Sequence, residues 1–585
     1  MSAIIESITE TPNIIKKAGA IRWLSMAPVI TLLTVIGVNT IYFLRVDHVV
    51  GQFSDDAWYI VLARSIAEQG SYQLISSPIQ GIQPNYPPGF PFLLAILLKV
   101  FSLKTEELWL LKGISVAAMN FVGLGTFIYC RKLKDFPTLI CWLAAIMISL
   151  LPAYVFLATS SVMSECVFTC FQFWAVVKLE SSIKNKEVRF STIGIVIGLA
   201  TAGFYTRSLG LTLVIAVAIQ LWQRASWQRA VFFAVGVGVL VVPWVVYCKI
   251  AYPNFALRSN HGGNIIYSYF DQVTMRVAGV KENGIATRAD YMDRINGNFQ
   301  AIIERDVLAV LLPSTLRTEA RSGEEVLGLG SGIGDVYKKV PFAKQAVIIS
   351  LIFSLIMLIG FTVQCRERVT SAEILVVLTF GCVLIWPWST FRFILPLSPF
   401  MICYWISGLK NISSWVMDRS GKDIDTFMIA RISLFCFAFF FILEHVRYIN
   451  LLRTQPQSIV WIKSGIYQDK ICNWLREKLP IGSIIVSNNP AKVFLTTNHL
   501  SSSSDLNEDT WNYWRQAEIR FLALLTPEDK TPFDVAPDKY KIICETNTSP
   551  SFRVFDLGDS SKRESLQEME VWWQEYQKTN SDDSR

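Results

Sequence analysis

With 585 residues, 52% of them hydrophobic and only 17% charged, and a mean hydropathy of +0.38, the chain carries too little charge for a soluble protein of its size. The formal net charge of +7 does not point to nucleic acid, because Lys and Arg fall in short clusters between apolar segments, where they orient a membrane protein. Most of the eleven cysteines, among them Cys130, Cys141, Cys166, Cys170 and Cys382, lie inside apolar runs and read as small core residues. Cys472 and Cys544, in the polar C-terminal part, read as free thiols rather than a pair. His48, His261, His445 and His499 lack the spacing of a zinc site.

Residues 1–22 are polar and end in Lys16, Lys17 and Arg22, and the apolar run from Trp23 to Leu44 matches the ~20 residues a helix needs to cross a bilayer. The basic cluster places the N-terminus in the cytoplasm and the following residues outside. The first outer loop, 45–106, opens with Phe53-Ser54-Asp55-Asp56-Ala57-Trp58-Tyr59. Ser54 stands at an N-cap position, and Trp58, Val61, Leu62 and Ile66 recur at helical spacing, which predicts an amphipathic helix lying at the interface. Gly70 ends it. Asn85-Tyr86-Pro87-Pro88-Gly89-Phe90-Pro91 then leads into Phe92–Phe101, too short to span and predicted as a second interfacial or re-entrant helix.

Further spans are expected at 108–130, 136–156, 162–179, 190–205, 209–222, 231–250, 346–363, 374–388, 393–406 and 427–443, with basic turns at Arg131/Lys132/Lys134, Lys184/Lys186/Arg189, Arg224/Arg229, Arg366/Arg368 and Lys410/Arg419/Lys422 on one side. The sequence thus predicts a polytopic α-helical membrane domain over 23–444 with about eleven spans, and a C-terminus on the outer side. A large outer loop, 251–342, holds an expected amphipathic helix at Tyr291–Leu312 and a glycine run, Gly328–Gly334, that reads as loop because it lacks the ending of a phosphate-binding loop. Residues 451–585 read as a soluble, extracytoplasmic α/β domain: a helix over 466–479, strands at 483–486, 521–525, 541–544 and 552–557, and a polar tail from 558.

Acids and arginines at the outer ends of helices need a reason. Asp55 and Asp56 read either as a dipole-compensating helix start or as a general base; Glu165 as a helix start or a second site acid; Arg207 and Arg392 as snorkelling cations or as holders of a phosphate. Their convergence on one face suits transfer of a group from a membrane-held phosphate ester, with a carboxylate taking the proton of an incoming hydroxyl and arginines stabilising the departing phosphate. Spacing alone does not choose between the aspartates.

Ser54-Asp55-Asp56-Ala57-Trp58-Tyr59 with Ala63-Arg64, then Tyr86-Pro87-Pro88-Gly89-Phe90-Pro91, Met163-Ser164-Glu165, Tyr205-Thr206-Arg207 and Arg392-Phe393-Ile394-Leu395-Pro396-Leu397-Ser398-Pro399 together resemble the ordered landmarks of the GT-C superfamily, in particular the bacterial protein O-mannosyltransferase and aminoarabinose transferase group, over about residues 20–410. The resemblance implies an enzyme, a glycosyltransferase moving a sugar from a polyprenyl-phosphate donor to an acceptor glycolipid, polysaccharide or protein on the outer face of a bacterial cytoplasmic membrane, with inversion. It implies Asp55 as the catalytic carboxylate, Asp56 in place of a Glu, Glu165 as a second acidic position, and Arg64, Tyr86, Arg207 and Arg392 around the donor phosphate, Tyr86 replacing a phosphate-contacting Lys. No cofactor is implied outright, and a divalent metal is left open. The competing expectations are a lipid or glycolipid transporter or flippase, which predicts related halves and charges near mid-membrane, and a non-catalytic assembly subunit of the same fold.

Overall fold

A computed structural model describes residues 29, 31–78, 81, 82, 85–256, 269–277, 280–311, 343–388, 390–420, 425–504, 508–525, 533, 540–546 and 551–558. The basic N-terminal cluster, His261, the glycine run 328–334 and the tail after Gly558 lie outside them.

Within the described residues, each of the eleven segments expected to span is mostly helical. Among the described residues six helices are long and apolar enough to cross a membrane: Thr105–Leu133, Glu165–Lys184, Trp227–Ala251, Val347–Glu367, Phe391–Arg419 and Met428–Thr454. A seventh crossing would be the pair Thr138–Ser149 and Pro152–Thr159, bent by 44°, because Pro152 has no N–H to continue the first helix. Thr31–Arg45, Phe190–Thr206, Gly210–Arg224 and Ser371–Leu384 are shorter apolar helices. In Trp227–Ala251 only 17% of the most apolar window is buried, and in Val347–Glu367 only 22%. Apolar helices left so open are stable only where their outer faces meet lipid. The chain is a multi-pass membrane protein.

The Glu165–Lys184 helix has 20 residues, or about 30 Å, and separates two groups of charge. At its far end Lys184 lines a cavity of about 150 Å³ with Lys134, Glu180 and Arg368. Glu165 stands at the other end, with Arg207 and Arg392. Three of the basic turns, those of Lys134, Lys184 and Arg368, therefore share one end of this helix, and the candidate site occupies the opposite one.

The first loop departs from expectation. In the Asp55–Arg64 helix every residue from Asp56 to Ala63 is buried; its apolar side chains run all the way round, and such a helix belongs in a core rather than at an interface. It is enclosed between the Gly89–Phe101 helix and the Pro490–Thr497 helix of the C-terminal domain. Gly89–Phe101 does keep one open apolar face, with Phe92, Ile96, Val100 and Phe101 exposed, as an interfacial helix requires.

In the large loop the expected helix is present as Arg288–Ala301, a wider turn at Ile302–Asp306 and Val307–Leu311. It is preceded by an antiparallel pair that was not anticipated, β1 (Met275–Val277) and β2 (Val280–Ile285). The C-terminal domain is α/β: β3 (Ile485–Ser487), β4 (Ser501–Ser503), β5 (Phe521–Leu524), β6 (Lys541–Glu545) and β7 (Arg553–Asp556) form one sheet in the order β4-β3-β5-β7-β6, parallel across the first three and antiparallel beyond. Side chains alternate across it. Val486, Leu522, Leu524 and Phe555 meet Trp511 and Trp514, while Ile485, Ala523 and Val554 meet Ile471, Cys472 and Leu475 of the Val460–Lys478 helix. Cys472 and Cys544 are both free thiols. Ala491, Phe494 and Leu495 of this domain join the hydrophobic core of the bundle.

Candidate active site

The chain enters Asp55 through a γ-turn of the uncommon hand. Ser54 has φ 59° and ψ −61°, and the Asp55 N–H donates to the Phe53 carbonyl at 2.6 Å. For a residue with a Cβ this conformation costs on the order of 1–3 kcal/mol and persists only when its surroundings over-determine it. Ser54 makes no side-chain cap; its carbonyl accepts from the Trp58 N–H at 3.0 Å.

The two aspartates point to different places. Asp56 is fully buried and turns back on its own loop, accepting from the N–H groups of Gly51 at 2.8 Å, Phe53 at 2.9 Å and Ala57 at 3.0 Å. Burial pushes its carboxyl up to about 6, against the opposing pull of the Gly51 and Phe53 amides and of Lys492 and Lys112. Asp55 instead keeps a third of its side chain exposed. Its Oδ1 accepts from the Tyr86 hydroxyl at 2.6 Å and its Oδ2 from Arg392 Nη1 at 2.8 Å.

Arg392 joins Asp55 to Glu165. Its Nε and Nη2 reach Glu165 Oε1 at 2.6 and 2.5 Å, and Arg207 Nη1 reaches the same oxygen at 2.8 Å. Glu165 is fully buried, and its Oε2 has no hydrogen-bond partner among the described residues. Of the three acids, Asp55 alone is part-exposed. Two carboxylates and two guanidiniums thus form one cluster whose formal charges cancel.

Distant segments bring the cluster together. Gly89 lets the first-loop helix pack against the end of Phe190–Thr206: a Cβ at Gly89 would lie 2.8 Å from the Tyr205 backbone. Tyr59 packs edge-on against Tyr86 and Phe90, each at 4.9 Å, and shares a hydrogen bond of 2.9 Å with Ser164. The segment carrying Arg392 is braced from the large loop. Thr390 donates to Asp306, which Arg305 also holds at 2.6 Å, and Asn298 Nδ2 reaches the carbonyls of Val383, Leu384 and Trp386 at 2.8–3.1 Å.

Of the residues singled out in the sequence, Asp55, Tyr86, Glu165, Arg207 and Arg392 therefore meet. Asp56 is a neighbour that serves the loop. Arg64 lies apart, donating to Thr105 Oγ1 at 3.0 Å. Sequence reasoning passed over Lys112, although a lone lysine inside an apolar run is a signal in itself. It is fully buried, and its ammonium is shared by Asp47 Oδ1 at 2.7 Å and the carbonyls of Asp47 and Val49, both at 2.8 Å. Asn298 and Asp306 carried no such signal. Among the described residues no three His, Cys, Asp or Glu side chains gather as a metal site.

Among solved structures, apo ArnT from Cupriavidus metallidurans superimposes with a TM-score of 0.50 at 11% identity, over 90% of this chain and 98% of that one. The chain shares the fold of that structure. ArnT from the same organism bound to undecaprenyl phosphate gives a TM-score of 0.49 at 11% identity, over 91% and 99% of the two chains. Archaeoglobus fulgidus AglB, an archaeal oligosaccharyltransferase in complex with an inhibitory peptide and a dolichol-phosphate, gives 0.48 at 11% identity, over 88% of this chain and 70% of its own. No protein-family model matches the sequence, and neither does any curated protein sequence. In this fold the acidic start of the first-loop helix and the arginines of later helices come from segments as far as 337 residues apart.

Proposed function

We propose that the protein is a membrane glycosyltransferase that moves a sugar from a polyprenyl-phosphate donor to an acceptor hydroxyl on the outer face of a bacterial cytoplasmic membrane, with the N-terminus in the cytoplasm and the C-terminal domain outside. The observation that carries this reading is the reach of Asp55: a part-exposed carboxylate held by Tyr86 and by an arginine that also holds Glu165. An ionised carboxylate has about four lone-pair positions, so two donors leave room for an acceptor hydroxyl.

In the reaction Asp55 accepts the hydroxyl proton as the acceptor oxygen bonds to the anomeric carbon. The bond from that carbon to the phosphate oxygen breaks on the opposite side, its electron pair leaves with the phosphate, and the configuration inverts. The cluster couples the two events. Before the reaction its charges cancel, but once Asp55 is protonated only Glu165 balances Arg207 and Arg392, and a net positive charge faces the phosphate as it departs. Stabilisation that appears with the transition-state charge is what lowers a barrier.

The test begins with mass spectrometry of surface glycans and glycolipids from cells with and without the protein, which identifies the product. Asp55→Asn, made and inserted normally, is then expected to form it about 10²–10⁴-fold more slowly. Wild-type product formation by Asp55→Asn would overturn the assignment.

A further inference from the structure

Three consecutive carbonyls in the loop before Asp55 are each taken by a distant side chain. The membrane bundle supplies one, Lys112 Nζ to Val49 O at 2.8 Å. The C-terminal domain supplies two: Lys492 Nζ to Val50 O at 2.6 Å and Asn489 Nδ2 to Gly51 O at 2.9 Å. Gly51 has φ +78°, and a Cβ there would sit 3.0 Å from the Lys492 stem, so glycine serves both the backbone conformation and the approach of the lysine. The Gly51 N–H goes to Asp56. Four residues later comes Asp55, reached through the strained turn at Ser54.

The two residues are themselves rigidly held. Asn489 caps the Pro490–Thr497 helix, its Oδ1 accepting from the Lys492 N–H at 3.2 Å, so one side chain ends that helix and binds the loop. Lys492 is nearly buried and pairs with Asp469 of the preceding helix at 2.6 Å. A second attachment runs from Ser501 N–H in β4 to the Ser76 carbonyl at 2.8 Å.

We infer that the C-terminal domain is a working part of the transferase site, with Asn489 and Lys492 as positioning residues that fix the 49–54 loop and through it the placement of the Asp55 carboxylate. The inference rests on the reading of Asp55 as the base. A turn strained at Ser54 relaxes unless both ends are held, and Asp56 with Lys112 secures only the bundle side. Misplacement of a reacting group by about 1 Å can cost around 10²-fold in rate. Among the described residues neither side chain contacts Arg207, Arg392 or Glu165, and Arg392 stays held by Glu165, so turnover is affected far more than phosphate binding.

The experiment uses the full chain in lipid nanodiscs and in native membranes. Lys492→Met keeps the stem and removes the ammonium, Asn489→Leu keeps the shape and removes the amide, and Lys492→Arg restores a donor. The probe for binding is undecaprenyl phosphate. The measure of turnover is the rate at which membranes with equal protein levels form the product that Asp55→Asn abolishes. Lys492→Met and Asn489→Leu are expected to slow product formation 10–100-fold while undecaprenyl phosphate affinity stays within twofold, with Lys492→Arg recovering most of the rate. Arg520→Gln, which breaks an exposed ion pair to Asp556 in the same domain, leaves both unchanged. If Lys492→Met does not assemble, Asn489→Leu carries the test, since the Lys492–Asp469 pair remains in place. Wild-type turnover in both variants while Asp55→Asn is inactive would overturn the inference and leave the base assignment standing; an active Asp55→Asn would overturn the base assignment itself.

Discussion

Glu165→Gln separates the charge argument from a merely structural one, because it drives binding and turnover in opposite directions. In the native cluster one Glu165 oxygen takes Arg207 and both the Nε and Nη2 of Arg392 at 2.5–2.8 Å, and Gln preserves both shape and a carbonyl acceptor. What it removes is a unit of negative charge, leaving two guanidiniums with Asp55 alone. Breaking one side of a buried ion pair costs about 3–5 kcal/mol, so the variant is expected to melt earlier. A phosphate about 4 Å from the uncovered charge gains roughly 4 kcal/mol at an effective dielectric of 20; with part of that lost to rearrangement, undecaprenyl phosphate should bind about 10–100-fold more tightly. Turnover should fall about 10²–10³-fold, because Arg392 closes on Asp55 and the positive charge is present before the transition state rather than arising with it. Equilibrium binding of undecaprenyl phosphate in nanodiscs, beside the membrane product assay, reads both quantities. Weaker phosphate binding, or turnover at the wild-type rate, refutes the coupling.

Asp56 makes stability depend on pH. With its carboxyl raised by burial to about 6 from a usual value of 3.8, the folded chain holds a proton that the unfolded chain has lost between those values. Its contribution is therefore fully present below about pH 4 and is lost as pH rises through 6, a change of roughly 3 kcal/mol. Melting temperatures of wild type and Asp56→Asn should diverge across that window, and parallel pH profiles would refute this. Lys112→Met strands the Asp47 carboxylate and should cost about 3–5 kcal/mol, much of it recovered in the double variant with Asp47→Asn; a double-mutant cycle on thermal stability checks it. Arg64→Gln should leave product formation within about threefold of wild type, since the guanidinium donates to Thr105 away from the Asp55 cluster, and the lost bond, about 1.5–3 kcal/mol, is a cost to stability. A loss of 100-fold would return Arg64 to the phosphate site.

The membrane class of the chain, most of its helical segments and the meeting of the Lys134, Lys184 and Arg368 turns were legible in sequence, because apolar length and charge clusters are local properties that a bilayer reads directly. The acid doublet and Glu165, Arg207 and Arg392 were legible as well, since a charge beside an apolar segment stands out. The depth of the Asp55–Arg64 helix was not, because spacing marks a face but not what covers it, and here the covering helix lies more than 400 residues along the chain. Strand β4 is Ser501-Ser502-Ser503, with no apolar alternation to announce it; it is held by backbone pairing to β3. The choice between adjacent aspartates belonged wholly to tertiary structure. Asp55 and Asp56 differ by one step of a helix, and they acquire separate roles because Tyr86 and Arg392 reach one while the amides of Gly51 and Phe53 close on the other. Sequence determined that acids would stand just beyond the first apolar segment; which of them stays part-exposed beside Tyr86 and Arg392 depended on partners that only the folded chain brings within hydrogen-bonding distance.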